Sequence, residues 1–199
     1  MTVKQFFKST AFKCIVTLLA ILLICGVFLT VMYGFLEVSD EERFERAINK
    51  IYGKSVTTEA VVLDGKQTEF EYSSVLEAYK VIDDGNYLVK LSGKEGFGGN
   101  VECWVAVEMD GNSIEGIMKV AVDNAPGESY IGKVSQDALN SLAEKAEYGS
   151  EVMGGYTHGS KQPGSDYIAT GASYSMRAIS NCVNGAMEFV AKLTGGNGQ

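Results

Sequence analysis

One histidine, His158, stands among 199 residues. A Ser-His-Asp hydrolase or a multi-histidine metal site therefore has almost no raw material, and a surface or loop position is the default for this side chain. The four cysteines form no ligand cluster either, because Cys14 and Cys25 fall in an apolar run while Cys103 and Cys182 are isolated and far apart in the chain. Two buried thiols are the expected state of the latter pair, with a Cys103–Cys182 disulfide as the alternative outside the cytoplasm. Positive charge is also short: 17 Lys and Arg face 25 Asp and Glu, and every acidic residue follows position 36. That balance excludes nucleic acid as a partner. There is no internal repeat at solenoid periods and no low-complexity tract before the Gly195–Gln199 tail.

What is present in quantity is one apolar run. From Cys14 to Leu36 there are 23 residues without a charge, which as a helix span roughly 35 Å against a hydrocarbon core of about 30 Å. Lys4, Lys8 and Lys13 precede the run, whereas Glu37, Asp40, Glu41 and Glu42 follow it. The lysine distribution predicts a cytoplasmic N-terminus over residues 1–13, a transmembrane helix over 14–36 and an extracytoplasmic domain over 37–199. A cleavable signal peptide would have an apolar core of about 7–15 residues ending at small residues, and neither condition is met. A lipoprotein site at Cys25 is rejected because Ile24 precedes it and the apolar run continues beyond it.

The external part reads as one domain of α+β class, helices packed on a twisted antiparallel sheet. Asp40-Glu41-Glu42 opens a polar helix that runs to about Lys50, with Gly53 as its stop. Strands are expected near Ala60–Leu63, Ser74–Ile82 and Tyr87–Leu91, separated by Asp-Gly turns at 64–65 and 84–85. Val101–Met109 and Ile114–Val122 form the strongest hairpin signal, around Asp110-Gly111-Asn112. Alternation in its first strand gives one apolar and one mixed face, so a half-covered sheet is expected. A short helix is predicted over Gln136–Ala146 and a long one from about Ser175 to Leu193. The long helix lines up Met176, Ile179, Val183, Met187 and Val190 as a core stripe.

Hydroxyl residues concentrate where a Gly-rich stretch (Gly154, Gly155, Gly159, Gly164) meets that last helix, in Asp166-Tyr167-Ile168-Ala169-Thr170-Gly171-Ala172-Ser173-Tyr174-Ser175. Backbone N–H groups at a helix start favour a phosphate, and Gly171 and Ala172 allow a ligand close to the backbone. Helix N-capping is the ordinary alternative for each of these hydroxyls.

Thr170-Gly171-Ala172-Ser173 resembles the [Ser/Thr]-Gly-Ala-Thr flavinylation motif of the FMN-binding domain family. That family includes the G subunit of Rnf complexes and the C subunit of sodium-pumping NADH:quinone reductases. Upstream, Gly98-Gly99 leading into the hairpin, and Ala125-Pro126-Gly127 after it, are similar to the family's Gly-Gly strand entry and its Pro-Gly loop near the flavin ring. The resemblance implies FMN joined through its phosphate to Ser173 by a flavin transferase. Thr170, Gly171, Ala172, Ser175, Gly98, Gly99, Pro126 and Gly127 would surround it. It further implies an electron-carrying subunit of a membrane-bound, ion-translocating ferredoxin:NAD oxidoreductase. Its partners would be the other membrane subunits of that complex, with no independent catalysis by the isolated chain. A C-type quinone reductase subunit and an anchored non-redox sensor or scaffold are the alternatives. The chain departs from the family in carrying Ser at the acceptor position, and in placing Asp166 four residues before Thr170 instead of three. Tethering has a physical rationale, since a cofactor lost outside the membrane is diluted whereas a bound one stays beside its partner.

Overall fold

The computed structural model describes residues 10–36, 39–65, 68–149 and 172–195, in two compact units that divide between Arg43 and Phe44. The first unit is built on helix α1 (Thr10–Leu36). Its stretch Phe12–Tyr33 is long and apolar enough to cross a membrane. Leu22, Ile24 and Leu29 are each about 70% exposed, and apolar side chains point outward all round the helix. A helix apolar on every face and buried on none fits an apolar solvent. Two of its hydroxyls are satisfied within the helix, Thr17 donating to the Lys13 carbonyl at 2.7 Å and Thr30 to that of Gly26 at 2.9 Å.

Helix α2 (Asp40–Tyr52) carries three acidic residues in its first turn and Lys50 in its last, the arrangement the helix dipole favours. Gly53 ends it at φ +69°. The second unit, which takes in α2 from Phe44 onward, is organised around one five-stranded antiparallel sheet in the order β1 to β5. The strands are β1 (Thr58–Ala60), β2 (Ser73–Val81), β3 (Tyr87–Gly93), β4 (Val101–Asp110) and β5 (Ser113–Asn124). Each is the antiparallel neighbour of the next in sequence, a meander that short turns suffice to connect. Asp110 pairs with Ser113, so the hairpin turn is Gly111-Asn112, with Gly111 at φ +62°.

Helix α3 (Gln136–Glu144) packs on β5, and helix α4 (Ser173–Thr194) lies across β2, β3, β4 and β5. Ser135 caps α3 by accepting from the Ala138 N–H. Met176, Ile179, Val183 and Val190 of α4 are completely buried against Val101, Cys103, Val105 and Val107 of β4. Cys103 and Cys182 are both free thiols in this core. The Cys182 sulfur donates to the carbonyls of Leu91 and Val101.

Three expectations need correction. β1 occupies Thr58–Ala60, ahead of the expected 60–63, because the chain leaves the sheet after Val61, whose N–H is still bonded to the Ala78 carbonyl; Val62 is 94% exposed. The sheet is covered on both faces, not one. Ala47, Ile48 and Ile51 of α2 pack against Val81, Leu88, Trp104, Ala106 and Ala121 on the side away from α4. A mostly polar helix hides this narrow apolar stripe. Lastly, α4 begins at Ser173, two residues before the expected start.

Candidate cofactor site

At the end of the sheet where β3 leads into β4, three segments meet. They are the loop 94–100, the turn following β5, and the first turn of α4. In the second segment the Glu128 N–H donates to the Ala125 carbonyl at 3.1 Å. Pro126 and Gly127 occupy the corners, with Gly127 at φ +80°, which matches a type II turn. The first segment lies against this turn backbone to backbone. A Cβ on Gly98 would collide with the Gly127 carbonyl, and one on Gly99 with the Pro126 carbonyl. The glycines are required here by close approach.

Glu128 ties the three segments together. It is 4% exposed. Its Oε2 accepts from the Gly98 N–H at 3.1 Å, while Oε1 accepts from the Ser175 hydroxyl at 3.0 Å and the Tyr130 N–H at 3.3 Å. Burial pushes this carboxyl up, but the N–H of Gly98, the hydroxyl of Ser175 and the N–H groups of Tyr130 and Phe97 together hold it below its ordinary value. A buried carboxylate with donors from several segments is a charge made tolerable by hydrogen bonds.

At the start of α4, Ala172 is the N-cap and its carbonyl accepts the first helical bond from Met176 N at 2.9 Å. Ser173 is therefore the first helical residue, one past the cap. Alanine has no side-chain acceptor, so the helix start is not capped by Ser173 in the usual way. The N–H groups of Ser173, Tyr174 and Ser175 precede that first bond and have no carbonyl a turn back in the helix. Ser173 is half-buried, Ser175 fully buried.

Ser173 opens onto a cleft of about 250 Å³ lined also by Phe97, Glu128, Tyr130, Ala172, Tyr174 and Ser175. Three exposed rings border it: Phe97 stands 5.6 Å from Tyr130 and 5.8 Å from Tyr174 between centroids. Lys133 lies 4.8 Å over the Tyr130 ring, and the Arg177 guanidinium 5.4 Å over that of Tyr174.

Of the residues expected from sequence, the structure brings Gly98, Gly99, Pro126, Gly127, Ala172, Ser173 and Ser175 to this one place. Thr170 and Gly171 lie outside the described residues, as do Asp166, His158 and the glycines at 154, 155, 159 and 164. Ser175 is fully buried, lines the cleft and donates its hydroxyl to Glu128. Phe97, Tyr130, Tyr174 and Glu128 were missed. The signal available for them was a lone aromatic in Gly96-Phe97-Gly98-Gly99 and a tyrosine directly after the hydroxyl motif.

No protein-family model, curated protein or solved structure matches the chain. Among the described residues no group of three His, Cys, Asp or Glu could hold a metal ion. The site's own chemistry is a half-buried hydroxyl on a helix N-terminus beside an aromatic cleft.

Proposed function

We propose that the chain is a membrane-anchored flavoprotein subunit carrying FMN as a phosphoester on Ser173, and that it passes electrons within an ion-translocating ferredoxin:NAD oxidoreductase. The observation that carries this reading is the position of Ser173. Its hydroxyl is at the first position of α4, beside backbone N–H groups suited to a phosphate and on the wall of an aromatic cleft.

The residues present fit the group on two counts. The N–H groups at the start of α4 and the positive end of its dipole favour the phosphate. The rings of Phe97, Tyr130 and Tyr174 offer an apolar surface beside it. Attachment breaks the Ser173 O–H bond and the phosphoanhydride bond of a flavin adenine dinucleotide donor, forms the Ser173 O–P bond and releases AMP and the proton, so the chain gains FMN less one water, with the flavin transferase as the catalyst. Ser175 is too buried to be the acceptor. When bound, FMN supplies transfer of one or two electrons, while this chain contributes position, ring environment and control of solvent.

The anchor is α1, with the lysine-bearing N-terminus inside and the folded domain outside. The other membrane subunits of the complex then supply and withdraw the electrons. Replacing Ser173 by Ala tests the relay. The variant is expected to insert and assemble with the complex yet to abolish ferredoxin-linked NAD turnover and ion transport. Unchanged turnover in an assembled complex that lacks this flavin would refute it.

A further inference from the structure

An exposed phenylalanine normally brings folding little, since an apolar ring stabilises only when it is taken out of water. Phe97 is 64% exposed, yet the backbone that presents it is tightly fixed. It is the only side chain with a Cβ between Gly96 and Gly99. A Cβ on Gly96 would meet the Gly99 carbonyl and lie 2.9 Å from the Glu128 carboxylate, while Gly98 and Gly99 are closed off by the 126–127 turn. Just ahead, Glu95 adopts φ +72°, the one described non-glycine residue with positive φ. That conformation is unfavourable for a residue bearing a Cβ. The fold thus spends close packing and backbone strain on holding one aromatic ring out in water.

The ring's neighbours define what it faces. Tyr130 meets it nearly edge-on at 73°, and Tyr174 is tilted at 54°. These interplanar angles leave aromatic surface around the mouth of the cleft instead of a closed stack. Tyr174 adjoins Ser173 in the chain, and all three rings line the cleft that Ser173 opens onto. Lys133 lies over the Tyr130 ring, and Arg177, which is ion-paired with Glu95 at 3.9 Å, over that of Tyr174, so each tyrosine ring is held by a cation. A ligand matching this arrangement has a planar aromatic ring for the platform and an anionic tail reaching the helix start.

We infer that Phe97, flanked by Tyr130 and Tyr174, is the platform on which the isoalloxazine ring of the Ser173-linked flavin rests. This rests on the function proposed above and adds a set of positioning residues to it. Removing the Phe97 ring should leave attachment unaltered, because the start of α4 is also held by the Ser175–Glu128 hydrogen bond and by the fully buried Met176, but should release the flavin ring to solvent. Aromatic contacts of this kind correspond to a change of about two- to tenfold in the fraction of time the ring is seated.

The test uses the full-length chain in detergent after co-expression with a flavin transferase. Flavin loading is read by intact mass, and ring exposure by iodide quenching of flavin fluorescence. Wild type is compared with Phe97→Ala, Phe97→Trp and, as a control at the opposite end of the sheet, Ile82→Ala. The expected result is equal loading throughout, an iodide quenching constant raised about two- to tenfold in Phe97→Ala alone, and retained protection in Phe97→Trp. A loaded Phe97→Ala chain quenched no more than wild type overturns the platform while leaving covalent flavin standing. A wild-type chain with no flavin, beside an active transferase, overturns the proposed function and this inference together.

Discussion

Glu128 joins positions that lie far apart in the chain, accepting from Gly98 and from Ser175 across separations of 30 and 47 residues. Its carboxyl is held below the ordinary value of 4.5, so it stabilises the fold fully above that value. The contribution is lost as pH falls through the lower folded-state value, because the unfolded chain takes up the proton first. Glu128→Gln would turn one acceptor oxygen into an NH2 group facing a donor, costing about 1–3 kcal/mol at neutral pH. The stability gap between wild type and this variant is expected to narrow as the pH is lowered below the ordinary carboxylate range, measured by denaturant unfolding at a series of pH values. A gap that stays constant or widens in acid would contradict the role given to the carboxylate. Sequence alone showed Glu128 only as the residue after a Pro-Gly turn. Its partners are far away in the chain, and no local pattern records a contact of that kind.

Among the elements, α4 sits unusually close to β3. A Cβ on Gly93 would collide with the Ala178 carbonyl and come within 2.8 Å of the Cys182 sulfur, and one on Gly185 would strike the Ser73 hydroxyl. Helix backbone cannot move aside as a flexible side chain can. Gly93→Ala is therefore expected to destabilise the domain by about 1–3 kcal/mol, the usual cost of overpacking, seen as a lower Tm. An unchanged Tm would show that the helix does not approach the strand so closely. The strands were readable because alternation and Asp-Gly turns are local: β2 came within one residue at each end, and the hairpin centred on Gly111 as expected. The start of α4 was not readable to the residue. Ser and Tyr are indifferent helix formers, and the start is fixed partly by the distant tie from Ser175 to Glu128. The apolar stripe of α2 was likewise obscured by the charges on either side of it.

The molecule as a whole combines one helix long and apolar enough to cross a membrane with one folded α+β domain that carries the candidate site. In the proposed orientation, with the lysine flank inside, the domain lies outside the cytoplasm. Protease added to intact spheroplasts is expected to digest residues beyond α1, whereas digestion only after lysis would reverse the orientation. Ser173 was singled out by resemblance of 170–173 to a flavinylation motif, and Gly98, Gly99 and Gly127 by resemblance to a strand entry and a Pro-Gly loop; the structure brings these four residues together. The aromatic cleft was not legible in the sequence, because Phe97, Tyr130 and Tyr174 come together only when three segments fold onto one end of the sheet. The central claim concerns one covalent bond, and mass spectrometry of the denatured chain addresses it directly. After co-expression with a flavin transferase, the wild-type chain is expected to gain the mass of FMN less one water, localised to the peptide containing Ser173, and Ser173→Ala to gain nothing. An unmodified wild-type chain, or flavin still attached to Ser173→Ala, would contradict the account.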